Sequence, residues 1–368
     1  MNIGLCGFGV VGRGVYEIVR QRPDMKVKKI LCLEDIQLPD AQTVKDFSEI
    51  LNDPEIDTVA EAMGGLHPSY DFARAALEAG KNVVSSNKAM VCTFYDQLVP
   101  LAAQKGVSLR CTAAVGGGIG WLSELERARR VQTINQVGGI MNGTCNYILD
   151  NMTRLGLGYD EALKQAQKLG YAEANPATDV DGIDTWHKVI LSANVAFGIS
   201  LDKTTVPVSG IRNISAADVD CFKAHGKVCK LISTAKRTED GFSAYVQPTL
   251  VDAGSPEGAV PLNYNLITFI GQTSERMSFY GQGAGRYPTA YNVVQDLVDV
   301  TQGKSFYAPY GAPQAADNQE AHHYYVRGDW EGSIQEDWST GVITAPVPVS
   351  QMHQWVKDHP DAFIAGVD

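Results

Sequence analysis

The sequence predicts an α/β protein: a Rossmann-type doubly wound parallel sheet plus an α+β domain. Three observations carry this. A glycine-rich turn, GFGVVG at residues 7–12, directly follows an apolar strand. Apolar strands then alternate with helical periodicities through residue 85, the pattern of parallel βαβ units. From about Val131 the texture changes to longer strand-like and helical stretches, and 368 residues exceed one typical core.

In order, residues 2–6 read as a buried strand. Val11, Val15, Ile18 and Val19 recur at helical spacing, and Pro23 follows them. Residues 27–33 read as a second strand and 58–63 as a third, ended by Gly64-Gly65. Residues 70–78 form a helix that stops at Gly80, and 82–85 a fourth strand. In the second part, 138–141, 243–251 and 265–270 read as strands, and 159–169 and 183–195 as helices. Pro288-Thr289-Ala290 opens another amphipathic helix through Val293, Val294, Leu297 and Val300. The expected division is a dinucleotide-binding domain over 1–130, completed by 284–303, and an α+β domain over 131–283. The pattern leaves open the role of a C-terminal segment over 304–368.

Composition narrows the function. The chain is 44% hydrophobic and 20% charged, an ordinary globular balance. A net charge of -11 argues against nucleic acid and anionic membrane surfaces as partners. The 7 cysteines are odd in number and lack a Cys-x-x-Cys pair, which favours reduced thiols in a cytoplasmic protein over disulfides or structural zinc. The first strand begins at Asn2, leaving no room for a signal peptide, and no apolar run reaches the roughly 18 residues of a membrane span.

The glycine triplet works by geometry. Gly7 permits a tight turn, Gly9 lets a pyrophosphate approach the backbone, and Gly12 allows close helix packing. The helix N-terminus then faces the phosphates. Glu34 ends the second strand, where a carboxylate bonds the ribose hydroxyls and disfavours a 2′-phosphate. Asp35 follows, and no Arg or Lys occurs between Ile30 and Val44. The acids therefore stand without a local counter-charge, and NAD is expected over NADP, with NADP kept as the alternative.

Asp184 and Lys188 lie four apart and share one helix face. Taken alone, such a pair is a solvated surface contact. Asp179, Asp181 and Glu173 nearby change that reading, because clustered carboxylates repel unless a cation sits among them. The cation is Lys188, a substrate ammonium, or both. Lys88, in SSNK at the end of the fourth strand, lies where open α/β sheets bind ligands; a solvated loop lysine is the alternative. His187 adjoins Lys188 but points about 100° away on a helix, and His322 and His323 lack a third group at metal spacing, so no metal is expected.

With these residues in hand, the chain resembles homoserine dehydrogenases over roughly residues 2–303. The matching segments are GFGVVG, EAMGG at 61–65, SSNKAM at 85–90, AVGGGI at 114–119 and GIMNGTCNYIL at 139–149. LGYAEANPATDVDGIDTWHK at 169–188 and GQGAGRYPTA at 281–290 complete the set. The resemblance implies interconversion of L-homoserine and L-aspartate 4-semialdehyde with NAD(P), within threonine and methionine biosynthesis. It implies that Lys188 and Lys88 flank the reacting oxygen and that Glu173 and Asp184 bind the amino and polar groups. Asp179, Tyr171, Gly143 and Thr144 shape the pocket. Val10, Val11, Gly64, Gly65 and Gly285 join the cofactor contacts. Of the two lysines, Lys188 is favoured as the proton carrier, with Lys88 stabilising developing oxyanion charge. The resemblance also makes residues 131–283 the substrate-binding and dimerisation domain and implies a homodimer or homotetramer.

Three departures stand out. Thr112 occupies the place of an acidic residue that helps hold a monovalent cation, so the cation is doubtful. Gly120, followed by Trp121, replaces a proline in the loop bordering the nicotinamide. The tail is too short for a regulatory ACT domain, although His323 to Arg327 has the look of a first ACT strand. A related dehydrogenase for another small amino or hydroxy acid, or a catalytically silent NAD-binding sensor, are the competing readings.

Overall fold

The computed structural model describes residues 1–239, 241–305 and 311–367. Six strands form a wholly parallel sheet: β1 (Asn2–Cys6), β2 (Lys26–Leu31), β3 (Gln42–Val44), β4 (Thr58–Glu61), β5 (Asn82–Ser85) and β6 (Leu109–Arg110). Their order, β3-β2-β1-β4-β5-β6, is that of the dinucleotide-binding fold, with its switch point between β1 and β4. Every residue of β4 is buried, as parallel strands covered on both faces require. The Val10–Val19 helix packs on the Arg286–Thr301 helix, and Ile3, Leu5, Val15, Val19, Val293 and Leu297 share one apolar cluster.

Ten strands form a second, mixed sheet. They are β7 (Ile134–Ile140), β8 (Lys227–Arg237), β9 (Phe242–Asp252), β10 (Tyr264–Gly271), β11 (Glu275–Gln282), β12 (Ala321–Arg327), β13 (Ile334–Asp337), β14 (Val342–Thr344), β15 (Val347–Pro348) and β16 (Phe363–Val367). The order is β11-β10-β7-β8-β9-β16-β12-β14-β13, and β15 pairs with β12. The described residues group into two compact units: Met1–Val131, Asn194–Ser200 and Gln282–Pro313, and Gln132–Ala193, Leu201–Gly281 and Gln314–Asp368.

The tail that the sequence left open has a place. β16 runs parallel to β9, with Gly366 opposite Thr249, and the Val349–Asp358 helix covers a small core of Tyr324, Val326, Val347, Met352 and Ile364. Within it His323 Nδ1 meets the Thr344 carbonyl at 2.9 Å and His322 Nε2 meets the Tyr245 hydroxyl at 3.2 Å. No helix among the described residues is long and apolar enough to cross a membrane.

Candidate active site

The first unit ends its strands in a cradle. Gly7 has φ +94°, and a Cβ there would lie 2.8 Å from the Ala62 carbonyl oxygen. A Cβ on Gly12 would lie 2.1 Å from the Gly7 carbonyl oxygen. Internal crowding therefore demands both glycines. Gly9 differs: a Cβ on it would meet nothing within 4 Å, and it starts the Val10–Val19 helix without a side-chain cap. Open space at a helix N-terminus fits a pyrophosphate. Val10 is exposed and Val11 half-buried in the first turn. Gly64 also opens on clear space, Gly65 has φ +78°, and Gly285, φ +129°, precedes the Arg286–Thr301 helix.

A buried network ties β4 to β5. Glu61 is fully buried, and burial pushes its carboxyl up from the usual range. It accepts from Ser85 Oγ at 2.5 Å and from the Met63 N–H at 2.8 Å. The Asn87 N–H donates to Ser85 Oγ at 3.0 Å, and its side-chain amide donates to the Gly65 carbonyl at 2.7 Å. Asn87 Oδ1 caps the Lys88–Thr93 helix by accepting from the Met90 N–H at 3.1 Å. Half-buried Lys88 thus begins a helix anchored to the glycine turn at 64–65. Sequence reasoning missed Ser85 and Asn87; an Asn directly before a helix was the available signal.

The expectation of uncompensated acids after β2 is corrected. Glu34 pairs with Arg13 at 3.0 Å, and the Arg13 guanidinium lies 4.7 Å over the Phe8 ring. Asp35 pairs with Lys45 at 2.8 Å, which holds its carboxyl below the usual range. Lys45 stands one residue beyond the stretch from Ile30 to Val44, and the helix after the glycine turn returns Arg13 to the strand end.

The second unit gathers the amino-acid side chains. Asp184 and Lys188, on the Ile183–Phe197 helix, are only 5% and 7% exposed, so the solvated-pair alternative fails. Lys188 Nζ donates to Asp184 Oδ2 and to the Met141 carbonyl, each at 2.7 Å. A buried pair of this kind is held by such added bonds, since desolvation opposes it. Asn142, which sequence reasoning passed over, is the hub. Its amide donates to Asp179 Oδ1 at 2.7 Å and to Asp184 Oδ2 at 2.8 Å. Its Oδ1 caps the Gly143–Leu155 helix at the Cys145 N–H, 2.7 Å.

Neighbours complete the set. Thr144 Oγ1 donates to the Tyr171 carbonyl at 2.6 Å, and the Tyr147 and Tyr171 rings meet edge-on at 5.1 Å. A Cβ on Gly143 would lie 2.5 Å from the Asn263 carbonyl oxygen. Two carboxylates stand apart. Asp181 leaves the cluster and pairs with Arg212 at 2.8 Å. Glu173 is exposed, and among the described residues no hydrogen bond joins its carboxylate to this network. His187 packs its ring against Trp186 at 5.1 Å. Trp121 is fully buried at the start of the Trp121–Ala128 helix, with Gly120 before it at φ −72°.

Comparison with known proteins matches the chain to one family. The profile described as "Homoserine dehydrogenase" covers residues 121–298, and "Homoserine dehydrogenase, NAD binding domain" covers 7–112. A homoserine dehydrogenase of Bacillus subtilis is 34% identical over 84% of this chain and 76% of its own length. One from Lactococcus lactis is 34% identical over 93% and 84%. A crystal structure of a homoserine dehydrogenase from Thiobacillus denitrificans superposes with a TM-score of 0.87 at 27% identity, covering 100% of this chain and 98% of that one.

Proposed function

The chain belongs to the homoserine dehydrogenase family, and from that premise we propose how its residues divide the reaction. The activity is interconversion of L-homoserine and L-aspartate 4-semialdehyde with NAD(P), a step of amino-acid biosynthesis. Bound nicotinamide supplies the hydride acceptor in oxidation and the donor in reduction. Gly7, Gly9, Val10, Val11, Gly12, Gly64, Gly65 and Gly285 hold the dinucleotide, and Glu34 bonds its ribose.

The observation that carries the assignment is Lys188, a buried ammonium held between Asp184 and the Met141 carbonyl. An ammonium has three donors, and these contacts use two, leaving one for the substrate oxygen. In oxidation, neutral Lys188 takes the hydroxyl proton; in reduction its ammonium returns it. Lys88 stabilises developing oxyanion charge. Asp184 and Glu173 bind the amino and polar groups, and Asp179, Tyr171, Gly143 and Thr144 shape the pocket. Fixing the amino acid at both ends orients the reacting carbon.

Glu173→Gln is expected to raise KM for homoserine with kcat and cofactor KM near wild type. The variant keeps the shape and removes the charge; a loss of about 1.4 kcal/mol reads as tenfold. Steady-state kinetics at saturating NAD decide it, and an unchanged KM means Glu173 faces elsewhere.

We also propose that NAD is preferred, by about tenfold in kcat/KM, equal to about 1.4 kcal/mol. The Arg13–Glu34 pair makes this conditional. Glu34→Ala should raise NADP use by releasing Arg13 to a 2′-phosphate, and a further Arg13→Ala should abolish that gain. Titration of both cofactors tests it; equal use by the wild type would show that Arg13 already serves the phosphate.

A cytoplasmic homodimer or homotetramer completes the proposal. The family resemblance carries this expectation. Light scattering after size exclusion tests it; a monomer at micromolar concentration would reject it.

A further inference from the structure

The family resemblance implies a monovalent cation at the glycine loop, held by an acidic side chain at the position of Thr112 and by loop carbonyls. The donor set here does not fit that ion. Thr112 brings no charge, and both its N–H and its hydroxyl donate to Asp296, at 2.7 Å each. The Gly117 carbonyl accepts a hydrogen bond from the Asn292 side-chain amide. That amide turns positive partial charge toward any ion placed against the carbonyl. Asp296 is neutralised from another side as well. Arg110, fully buried, donates Nε to Asp296 Oδ1 at 3.0 Å and places Nη2 2.8 Å from Asp299.

Asn292 and Asp296 are four apart on the Arg286–Thr301 helix, hence on one face, and are 2% and 0% exposed. The loop they hold is already crowded. Gly117 has φ +50°, and a Cβ on it would lie 2.5 Å from the Gly283 carbonyl oxygen. The Gly118 N–H donates to the Gln282 carbonyl at 3.1 Å. The Asn292 amide adds a hydrogen bond to this loop at the Gly117 carbonyl.

We propose that Asn292 and Asp296 clamp the glycine loop in place of a monovalent cation, so that the chain is indifferent to which monovalent cation is present. Asn292 is then a positioning residue for the loop. The inference rests on the reading of that loop as the border of the nicotinamide.

The test measures the thermal midpoint and homoserine oxidation of the wild type in sodium, potassium, lithium and choline chlorides at one ionic strength. A bound ion stabilises by mass action, so its midpoint rises saturably with concentration. The expected result is one midpoint in all four salts and kcat/KM values within about twofold, a difference of about 0.4 kcal/mol. A saturable rise with any small cation, absent with choline, overturns the clamp. Asn292→Ala should raise cofactor KM by about tenfold with a smaller effect on kcat; wild-type kinetics would remove Asn292 from the role. Asn292→Asp replaces the donor by a carboxylate and should gain a saturable sodium or potassium response in its midpoint; no response overturns the proposal. Absence of turnover with homoserine would count against the proposed function, whereas the midpoints judge the clamp independently of it.

Discussion

Replacing Lys188 by alanine lowers kcat by roughly 10²–10⁴-fold while affinity for NAD stays near wild type, the range set by losing a general acid/base. Lys188 lies at the meeting of the Asp184 carboxylate and the Met141 carbonyl, both at 2.7 Å. An alanine supplies no proton acceptor there, and water reaches a side chain that is only 7% exposed with difficulty. The same substitution takes the ammonium away from a buried carboxylate, and breaking a buried pair costs about 3–5 kcal/mol. Stability and chemistry must therefore be separated. Lys188→Met keeps the volume, and Asp184→Asn with Lys188→Met removes the stranded charge. If rate loss tracks the thermal midpoint across these variants, Lys188 is structural; if the double variant regains its midpoint and its kcat stays far below that of Asp184→Asn alone, Lys188 carries the proton. Lys88→Ala is expected to lower kcat in the same way, and a wild-type kcat would return Lys88 to the ordinary loop lysines.

The sequence was most legible where one residue's local geometry decides the outcome. The glycine triplet sits between β1 and its helix as read, and the 183–195 periodicity matches a helix that runs Ile183–Phe197. Asp184 and Lys188 were found by their four-residue spacing. What escaped was long-range. β8 reads as polar because Lys227, Lys230 and Lys236 interrupt it, yet it pairs with β9 along its length, and Lys230 is buried between Asn146 Oδ1 and the Val260 carbonyl. The tail's β16 finds its parallel partner in β9, across a stretch of chain no local window spans. Asn142 was quoted within a motif without a role, because its value comes from two carboxylates some forty residues on. The Arg13–Glu34 and Lys45–Asp35 pairs escaped for the same reason: counter-charges are recruited by folding and not by adjacency.

Gly12→Ala is expected to raise the KM for NAD by about 100-fold, the cost of misplacing a binding element by roughly 1 Å. Its added Cβ would stand 2.1 Å from the Gly7 carbonyl oxygen, a contact no side chain tolerates. Neither partner yields easily. Gly12 is buried in the Val10–Val19 helix, and Gly7 is held by its N–H to the Leu31 carbonyl at 3.0 Å. The turn is tight at Gly7 as well, where a Cβ would lie 2.8 Å from the Ala62 carbonyl oxygen. The turn must open, and the helix N-terminus shifts away from the pyrophosphate position at Gly9. Gly9→Ala makes the comparison sharp. Its Cβ meets no protein atom within 4 Å, so the fold should keep its thermal midpoint and only the approach of the cofactor should suffer. Calorimetry of NAD binding with parallel thermal unfolding reads both. Gly12→Ala should lose affinity and stability together, and Gly9→Ala affinity alone. Undiminished NAD affinity in Gly9→Ala would mean that the open space above that residue is not where the pyrophosphate lies.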